Sequence, residues 1–273
     1  MFKINGNVLK LGEFPDGTPS IKIEIEGSIA TIEWLYEKNE DILLYYIANH
    51  LKAYHRVKEL HLVMPYIPNA RLDRVDDDET VFTLKYFCNF INSLKFDSVV
   101  VRDAHSHVSV GMLDNVIQEP VTPIINDLIE DLFAGVSNRE TIIFFPDEGA
   151  SKRYAKKINY PSCFGIKVRE NGTVTSLEVK GQLPTRKFDV LIVDDICSYG
   201  GTFYRAAQSL KEMGAENIYL YVTHCENNIL KGDLIKSGLF KKIYTTNSIY
   251  TGEHSLIEVI GGEGKCVKAI HCY

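Results

Sequence analysis

The sequence of 273 residues lacks the long apolar runs that would cross a membrane. No run reaches the roughly 18 residues that a transmembrane helix needs, and the first residues lack the basic and then apolar layout of a signal peptide. A strong net charge is also missing, since 30 Lys and Arg residues against 36 Asp and Glu residues give −6 and a pI near 5.8. Such a surface has no general attraction to nucleic acids or anionic lipids. We therefore expect a cytoplasmic protein without nucleic-acid or membrane partners.

Cysteine is sparse, and short repeats and low-complexity segments are absent. The six cysteines are scattered, and no pair has the close spacing of a zinc knuckle. We expect them to be reduced and packed as small hydrophobic side chains. The 45% hydrophobic and 24% charged residues are typical of a globular chain, which at this length forms one large domain or two mid-sized ones.

Short apolar runs rich in β-branched residues alternate with segments of helical periodicity, a pattern typical of parallel strands joined by crossover helices. The pattern predicts strands at residues 59–64, 98–101, 141–145, 188–193 and 217–222, and helices at residues 41–52, 80–94, 122–133 and 203–213. On the first helix, the predicted apolar face carries Ile42, Leu43, Tyr46, Ile47 and Leu51. The predicted fold class is α/β, with an N-terminal lobe of residues 1–138 and a C-terminal lobe of residues 139–273.

The residues after each predicted strand carry acid, imidazole and guanidinium groups, and ligands of an open parallel sheet bind at these strand ends. In the segment after the strand 188–193, the adjacent carboxylates of Asp194 and Asp195 suit the vicinal hydroxyls of a ribose. Gly200 and Gly201 allow backbone N–H groups to approach a phosphate, and Thr202 adds a hydroxyl at the positive end of the next helix. A tight strand-to-helix turn with an Asp cap is the plainer alternative. The combination of doubled Asp, paired Gly and Thr favours a sugar-phosphate site.

This segment resembles the ribose-phosphate loop of type I phosphoribosyltransferases and of ribose-phosphate pyrophosphokinases. Four further elements resemble the pyrophosphokinases alone, in the same order along the chain: Glu13-Phe-Pro-Asp-Gly17, Met64-Pro-Tyr-Ile-Pro-Asn-Ala-Arg-Leu-Asp-Arg74, Asp103-Ala-His105 and Pro146-Asp-Glu-Gly149. They are similar to the family's Phe-x-Asp-Gly, Pro-Tyr-x-x-x-Ala-Arg-Gln-Asp-Arg, Asp-Leu-His and Pro-Asp-x-Gly. The resemblance implies two phosphoribosyltransferase-like lobes, each a mainly parallel β-sheet flanked by helices.

The resemblance also implies a reaction, the transfer of the β,γ-diphosphate of MgATP to the 1-hydroxyl of a ribose phosphate with release of AMP, as in nucleotide biosynthesis or NAD metabolism. It assigns ATP binding to Phe14, Asp16, Arg71, Asp73 and His105, with Phe14 and Asp16 coming from a neighbouring subunit of a homodimer or larger homo-oligomer. It assigns the ribose phosphate to Asp194, Asp195, Ser198, Tyr199, Gly200, Gly201 and Thr202. It assigns Mg²⁺ to His105 and Asp147, and catalysis to Lys167, Arg169 and His105.

Several positions depart from the family pattern. Leu72 replaces a Gln, and the acidic stretch at residues 75–79 follows where the family is basic, which we interpret as a solvated loop. Ser198 and Tyr199 replace Asp and Thr in the phosphate loop. An acceptor larger than ribose 5-phosphate, such as ADP-ribose, is one hypothesis, with Tyr199 stacking on a second base. A phosphoribosyltransferase and a non-catalytic, synthetase-like regulatory subunit are the alternative functions.

Overall fold

The computed structural model describes residues 1–75, 77–134, 140–170 and 173–261, with the backbone alone at residues 167–170 and 173–177. This part of the chain forms two compact units, the first ending at Glu119 and the second beginning at Pro120. Each is built on a mainly parallel β-sheet with helices, so the predicted α/β class is confirmed. None of the helices in these residues is both long enough and apolar enough to span a membrane.

The first unit contains the elements up to Glu119. They are β1 (Phe2–Ile4), β2 (Asn7–Val8), β3 (Leu11–Glu13), β4 (Pro19–Ile21), β5 (Ile29–Trp34), α1 (Asp41–Ala53), β6 (Glu59–Val63), α2 (Thr83–Ser93), β7 (Ser98–Arg102), α3 (His107–Met112) and β8 (Val116–Glu119). The sheet order is β2-β1-β5-β6-β7-β8, and β3 and β4 form a separate hairpin. Strands β5 to β8 are parallel, so their carboxyl ends meet at one edge of the sheet.

Helix α1 packs on this sheet with a face that differs from the predicted one. Its buried residues are Leu44, Ile47, Ala48 and Leu51. Ile42 and Tyr46 are 52% and 45% exposed, so the prediction is wrong at these two positions. The stripe at spacings of three and four residues starts at Leu44, and a helix starting at Asp41 leaves Ile42 on the solvent side.

The second unit contains the elements after Pro120. They are α4 (Thr122–Phe133), β9 (Glu140–Phe145), α5 (Glu148–Tyr154), β10 (Ser162–Glu170), β11 (Thr173–Lys180), β12 (Phe188–Cys197), α6 (Gly201–Glu212), β13 (Ala215–Cys225), a 3₁₀ turn (Asn227–Lys231), α7 (Asp233–Lys236), β14 (Phe240–Thr245) and β15 (Ile257–Val259). The sheet order is β11-β10-β9-β12-β13-β14-β15. All neighbouring pairs are parallel except β10 and β11.

Helix α4 belongs to the second unit. Its Ile125 and Ile129 pack in one buried cluster with Ile143, Phe145 and Leu191 from the central strands. The predicted lobe boundary after residue 138 falls outside the described residues and assigns this helix to the N-terminal lobe, whereas the described chain divides before the helix. An amphipathic pattern shows that a helix covers a sheet but does not indicate which sheet it covers.

The cysteines of the described part are reduced and buried, as predicted. They are Cys88, Cys163, Cys197 and Cys225. Burial raises the pKa of Cys88 to about 11 and that of Cys163 to about 12, so both thiols stay protonated at neutral pH. Cys266 and Cys272 lie outside the described residues.

Candidate functional site

Two adjacent carboxylates lie near the carboxyl end of β12, the second unit's central strand. Asp195 is 3% exposed, and its backbone N–H donates to Asp194 Oδ1 at 2.9 Å. Arg153 lies on α5, the helix that follows the neighbouring strand β9. Its Nη1 donates a hydrogen bond to Asp195 Oδ2. The two predicted ribose ligands are therefore held by different groups, Asp194 by the backbone and Asp195 by a guanidinium.

The electrostatic environment of Asp194 disfavours its charge. Burial raises the pKa of Asp194 well above its usual value, and the charges of Asp195 and Asp147 act in the same direction. Three carboxylates therefore interact at the ends of β9 and β12. Groups that donate hydrogen bonds, or a cation, would relieve their repulsion.

Asp147 follows β9 and begins helix α5. Its Oδ1 accepts a hydrogen bond from the Ala150 N–H at 3.0 Å, which caps the helix. The same short helix therefore carries Asp147 at its start and, near its end, Arg153 directed to Asp195. Arg153 was not predicted from the sequence. It is a single basic residue on the helix that follows Pro146-Asp-Glu-Gly149, and no local pattern distinguishes such a residue from a solvated one.

The segment of residues 198–202, which we call the glycine loop, joins β12 to α6. Gly200 has φ +81°, a left-handed conformation, and a Cβ built on it would lie 2.6 Å from Leu234 Cδ1. No side chain among the described residues caps α6, and a Cβ on Gly201 would meet open space. The first N–H groups of α6 can therefore be approached by an anion, as a phosphate-binding loop requires.

The other three predicted residues of the glycine loop differ in exposure. Thr202 is exposed at the start of α6, and the Tyr199 ring is 56% exposed. Ser198 is partly buried, and its hydroxyl donates to Glu226 Oε2 at 2.6 Å. Five of the seven predicted ribose-phosphate residues thus belong to the glycine loop, which Ile196 and Cys197 separate from the two carboxylates. Glu226 was not predicted from the sequence.

In the first unit, the loop after β6 meets the end of β7. The Arg102 N–H donates to the Pro65 carbonyl at 3.0 Å, which sets the two strand ends side by side. A hydrogen bond from the Ser106 side chain lowers the pKa of Asp73, and Arg74 and His105 act in the same direction. The structure therefore brings the predicted residues Asp73 and His105 together at one edge of the sheet.

The neighbouring residues of this loop are solvent-exposed. Arg71 is exposed in the same loop as Asp73. The acidic stretch at residues 75–79 is exposed at every position except Asp76, which is not described. Asp77 Oδ1 accepts hydrogen bonds from the N–H groups of Glu79 and Thr80, as expected for a solvated loop.

Phe14 and Asp16 lie in the turn between β3 and β4. Phe14 is 55% exposed, and Asp16 Oδ1 accepts the Thr18 N–H at 3.0 Å. That backbone hydrogen bond, with one from the Thr18 hydroxyl, lowers the pKa of Asp16. Within the described part of the chain, the hydrogen bonds of Asp16 stay inside the hairpin and do not connect it to Asp73 or His105.

The remaining predicted site residues are less fully described. Lys167 and Arg169 lie on β10, and their side chains are outside the described part of the structure. His105 belongs to the first unit and Asp147 to the second. Among the described side chains, no group of three or more His, Cys, Asp or Glu residues is arranged to hold a metal ion.

Comparison with known proteins finds several ribose-phosphate pyrophosphokinases among the relatives of this chain. No protein-family model matches the chain. It is 27% identical over 210 residues to ribose-phosphate pyrophosphokinase 2, chloroplastic, of Oryza sativa subsp. japonica, a match that covers 72% of this chain and 50% of that protein. It is 31% identical over 198 residues to the ribose-phosphate pyrophosphokinase of Cereibacter sphaeroides, covering 68% and 56%. The chain therefore spans about half the length of these two relatives.

A longer sequence match and a solved structure agree with the two matches to ribose-phosphate pyrophosphokinases. The ribose-phosphate pyrophosphokinase of Pasteurella multocida is 28% identical over 254 residues, which cover 88% of this chain and 78% of that protein. The crystal structure of phosphoribosylpyrophosphate synthetase from Mycobacterium smegmatis has the same fold, with a TM-score of 0.72 over 93% of this chain and 85% of that chain at 18% identity. The chain belongs to the ribose-phosphate pyrophosphokinase family.

Proposed function

We propose that the protein transfers the β,γ-diphosphate of ATP to the 1-hydroxyl of a ribose phosphate and releases AMP. The observation that carries this proposal is the order of groups at the end of β12, where two mostly buried carboxylates, Asp194 and Asp195, come two residues before the glycine loop. A ribose phosphate has vicinal hydroxyls at one end and a dianion at the other. The carboxylates accept hydrogen bonds from the hydroxyls, and the N–H groups of α6 bind the phosphate.

The second unit holds the acceptor. Asp195 accepts a hydrogen bond from Arg153, so its carboxylate is fixed before any ligand arrives. Asp194 has a raised pKa and gains most from hydroxyl donors that stabilise its charge. Ser198, Tyr199 and Thr202 lie in the loop around the phosphate. This arrangement presents the 1-hydroxyl as the nucleophile and needs little covalent help from the protein.

The first unit holds ATP in this proposal. The exposed Arg71 offers its fork of donors to a phosphate, and Asp73 and His105 lie beside each other at the same edge of the sheet. Phe14 and Asp16 of a neighbouring subunit approach the adenine, and the half-exposed Phe14 ring supports that role. The protein is then a homodimer or a larger homo-oligomer, working in the cytoplasm.

The donor chemistry suits magnesium. Asp147 offers a carboxylate oxygen, the ligand that Mg²⁺ prefers, and repulsion among Asp147, Asp194 and Asp195 is what a divalent cation reduces. His105 and Asp147 would hold the ion, which when bound neutralises charge on the phosphate oxygens. Lys167 and Arg169 neutralise the charge that develops on the transferred β-phosphoryl group and on the departing AMP.

The acceptor is ribose 5-phosphate or a ribose with a larger 5′ substituent such as ADP-ribose. The Tyr199 ring, 56% exposed beside the glycine loop, supports the larger acceptor because it offers a stacking face to a second base. A preference for ADP-ribose would connect the protein to NAD metabolism.

Chromatography of products from MgATP with ribose 5-phosphate or ADP-ribose tests the proposal. We expect AMP in an amount equal to the acceptor consumed, and its loss in the variant Asp195→Asn. Formation of ADP in place of AMP contradicts pyrophosphoryl transfer. Pyrophosphate release from phosphoribosyl diphosphate and a base without ATP would identify a phosphoribosyltransferase, and ATP binding without AMP for any acceptor would identify a regulatory subunit.

A further inference from the structure

We propose that Glu226 is a positioning residue of the glycine loop, which it holds in the conformation that binds the 5′-phosphate of the acceptor. The inference rests on the proposed function, because it assigns the loop to a ribose phosphate. Glu226 lies outside the loop, directly after β13, and acts on the ligand through Ser198.

The side chain of Glu226 is fixed from two directions. The Ser198 hydroxyl donates to Glu226 Oε2 at 2.6 Å, and Asn228 Nδ2 donates to the same oxygen at 3.2 Å. The Glu226 N–H donates to the Cys197 carbonyl at 2.8 Å, so backbone and side chain are both tied to the end of β12. Hydrogen bonds to a carboxylate are short and strong, which makes this connection a stiff one.

The residues that follow Glu226 continue the same contact with the loop. A Cβ on Gly232 would lie 2.0 Å from the Tyr199 carbonyl oxygen, and the left-handed Gly200 packs against Leu234. Ser198, Tyr199 and Gly200 therefore meet Glu226, Gly232 and Leu234 in the same order along the two segments. The segment of residues 226–234 forms a support behind the glycine loop.

A fixed loop matters because backbone N–H groups bind an anion well only when they already point at it. Ordering a mobile loop at the moment of binding costs free energy that would otherwise appear as affinity. Ser198 stands where the family pattern has Asp, and Glu226, the residue after β13, brings a carboxylate against that serine. The acid missing from the loop is thus supplied by the segment that follows β13.

Calorimetric titration of ribose 5-phosphate into wild-type and variant protein tests the role of Glu226. We expect Glu226→Ala and Ser198→Ala each to weaken binding by about tenfold, the usual effect of losing a hydrogen bond to a charged group. The double variant should bind no more weakly than either single variant, because both changes remove one interaction. The affinity for ATP, measured by the same titration, should be equal in wild-type and variant protein.

Moving the carboxylate from position 226 to position 198 distinguishes a positioning role of Glu226 from an effect on the overall stability of the protein. Ser198→Asp alone places two carboxylates together and should weaken binding strongly, whereas adding Glu226→Gln should restore it by supplying an amide donor. Asp233→Asn, which removes an exposed carboxylate from the same segment, is the matched control and should bind as wild type does. Melting curves confirm that each variant is folded.

The outcomes separate this inference from the proposed function. Wild-type affinity in a folded Glu226→Ala variant, or independent losses in the double variant, overturns the role of Glu226. Binding of ribose 5-phosphate without AMP formation contradicts the proposed reaction. The affinities of wild-type and variant protein for ribose 5-phosphate still decide whether Glu226 has the inferred positioning role. Failure of the wild-type protein to bind either ribose 5-phosphate or inorganic phosphate refutes both.

Discussion

Arg153 and Asp195 form an ion pair between α5 and β12, in which the Asp195 side chain is 4% exposed and the Arg153 side chain 26% exposed. A buried carboxylate keeps its charge and its orientation only while its partner is present. The pair therefore connects the helix that begins at Asp147 to the two carboxylates of the proposed ribose site.

We expect Arg153→Ala to raise the KM for ribose 5-phosphate by about tenfold or more, because Asp195 loses the donor that fixes it. Arg153→Lys keeps the charge but loses the planar fork, so it should recover part of the affinity. Steady-state kinetics with each substrate varied in turn measure both effects. Lys152→Ala is the matched control, since Lys152 lies on the same helix and pairs with Glu148 at the surface. Equal KM values for Arg153→Ala and Lys152→Ala contradict the prediction.

Asp194→Asn should make the protein without ligand more stable at neutral pH. A folded-state pKa above the unfolded value means that the folded state binds the proton more tightly, so its stability falls as the pH rises through the folded pKa. Asparagine removes that penalty and can still accept the Asp195 N–H. Melting temperatures of the variant and wild type should differ at pH 7 and converge near about pH 4, where an unfolded Asp is half protonated. A constant difference across that range would show that charge is not the cause.

The two glycines of the loop should respond differently to alanine. Gly200→Ala forces a left-handed residue and places a methyl group against Leu234, so we expect a loss of about 2 kcal/mol or more of folding free energy. In Gly201→Ala the added methyl group enters open space at a helical position, so the free energy of unfolding should be unchanged or slightly raised. Its methyl group nevertheless occupies space beside the proposed phosphate, so ribose 5-phosphate binding should fall. Denaturant unfolding and calorimetric titration together separate the two effects.

The central strands and helices were predictable because their patterns are strong. The residues of β12 from Val190 to Val193 form a continuous, buried apolar run, which is typical of a central parallel strand. The strand continues to Cys197, because its pairing with β13 carries on through the polar residues. Short edge strands such as β2 and β15 were not predicted, since two or three residues at an edge are specified by the partner strand more than by their own composition.

The candidate site was predictable in part for a similar reason. Asp194, Asp195 and the glycine loop form one continuous motif whose residue types indicate a sugar phosphate. Arg153 and Glu226 act from other elements, and a single charged residue on a helix or after a strand has no local pattern that distinguishes it from a solvated one. Only the folded chain brings each of them to the motif.

A buried ion pair in the first unit, three residues before His105, allows a separate test of stability. Arg102 Nε donates to Glu119 Oε2 at 2.7 Å, with side chains 2% and 9% exposed, so this ion pair joins the ends of β7 and β8 in the interior. Glu119→Gln removes the carboxylate charge that faces the buried Arg102 guanidinium, and we expect a loss of about 3 kcal/mol. The double variant Arg102→Met with Glu119→Met removes both charges and should be less destabilised than the single variant. Urea unfolding measures both, and a double variant at least as unstable as the single one would show that packing, not the uncompensated charge, sets the cost.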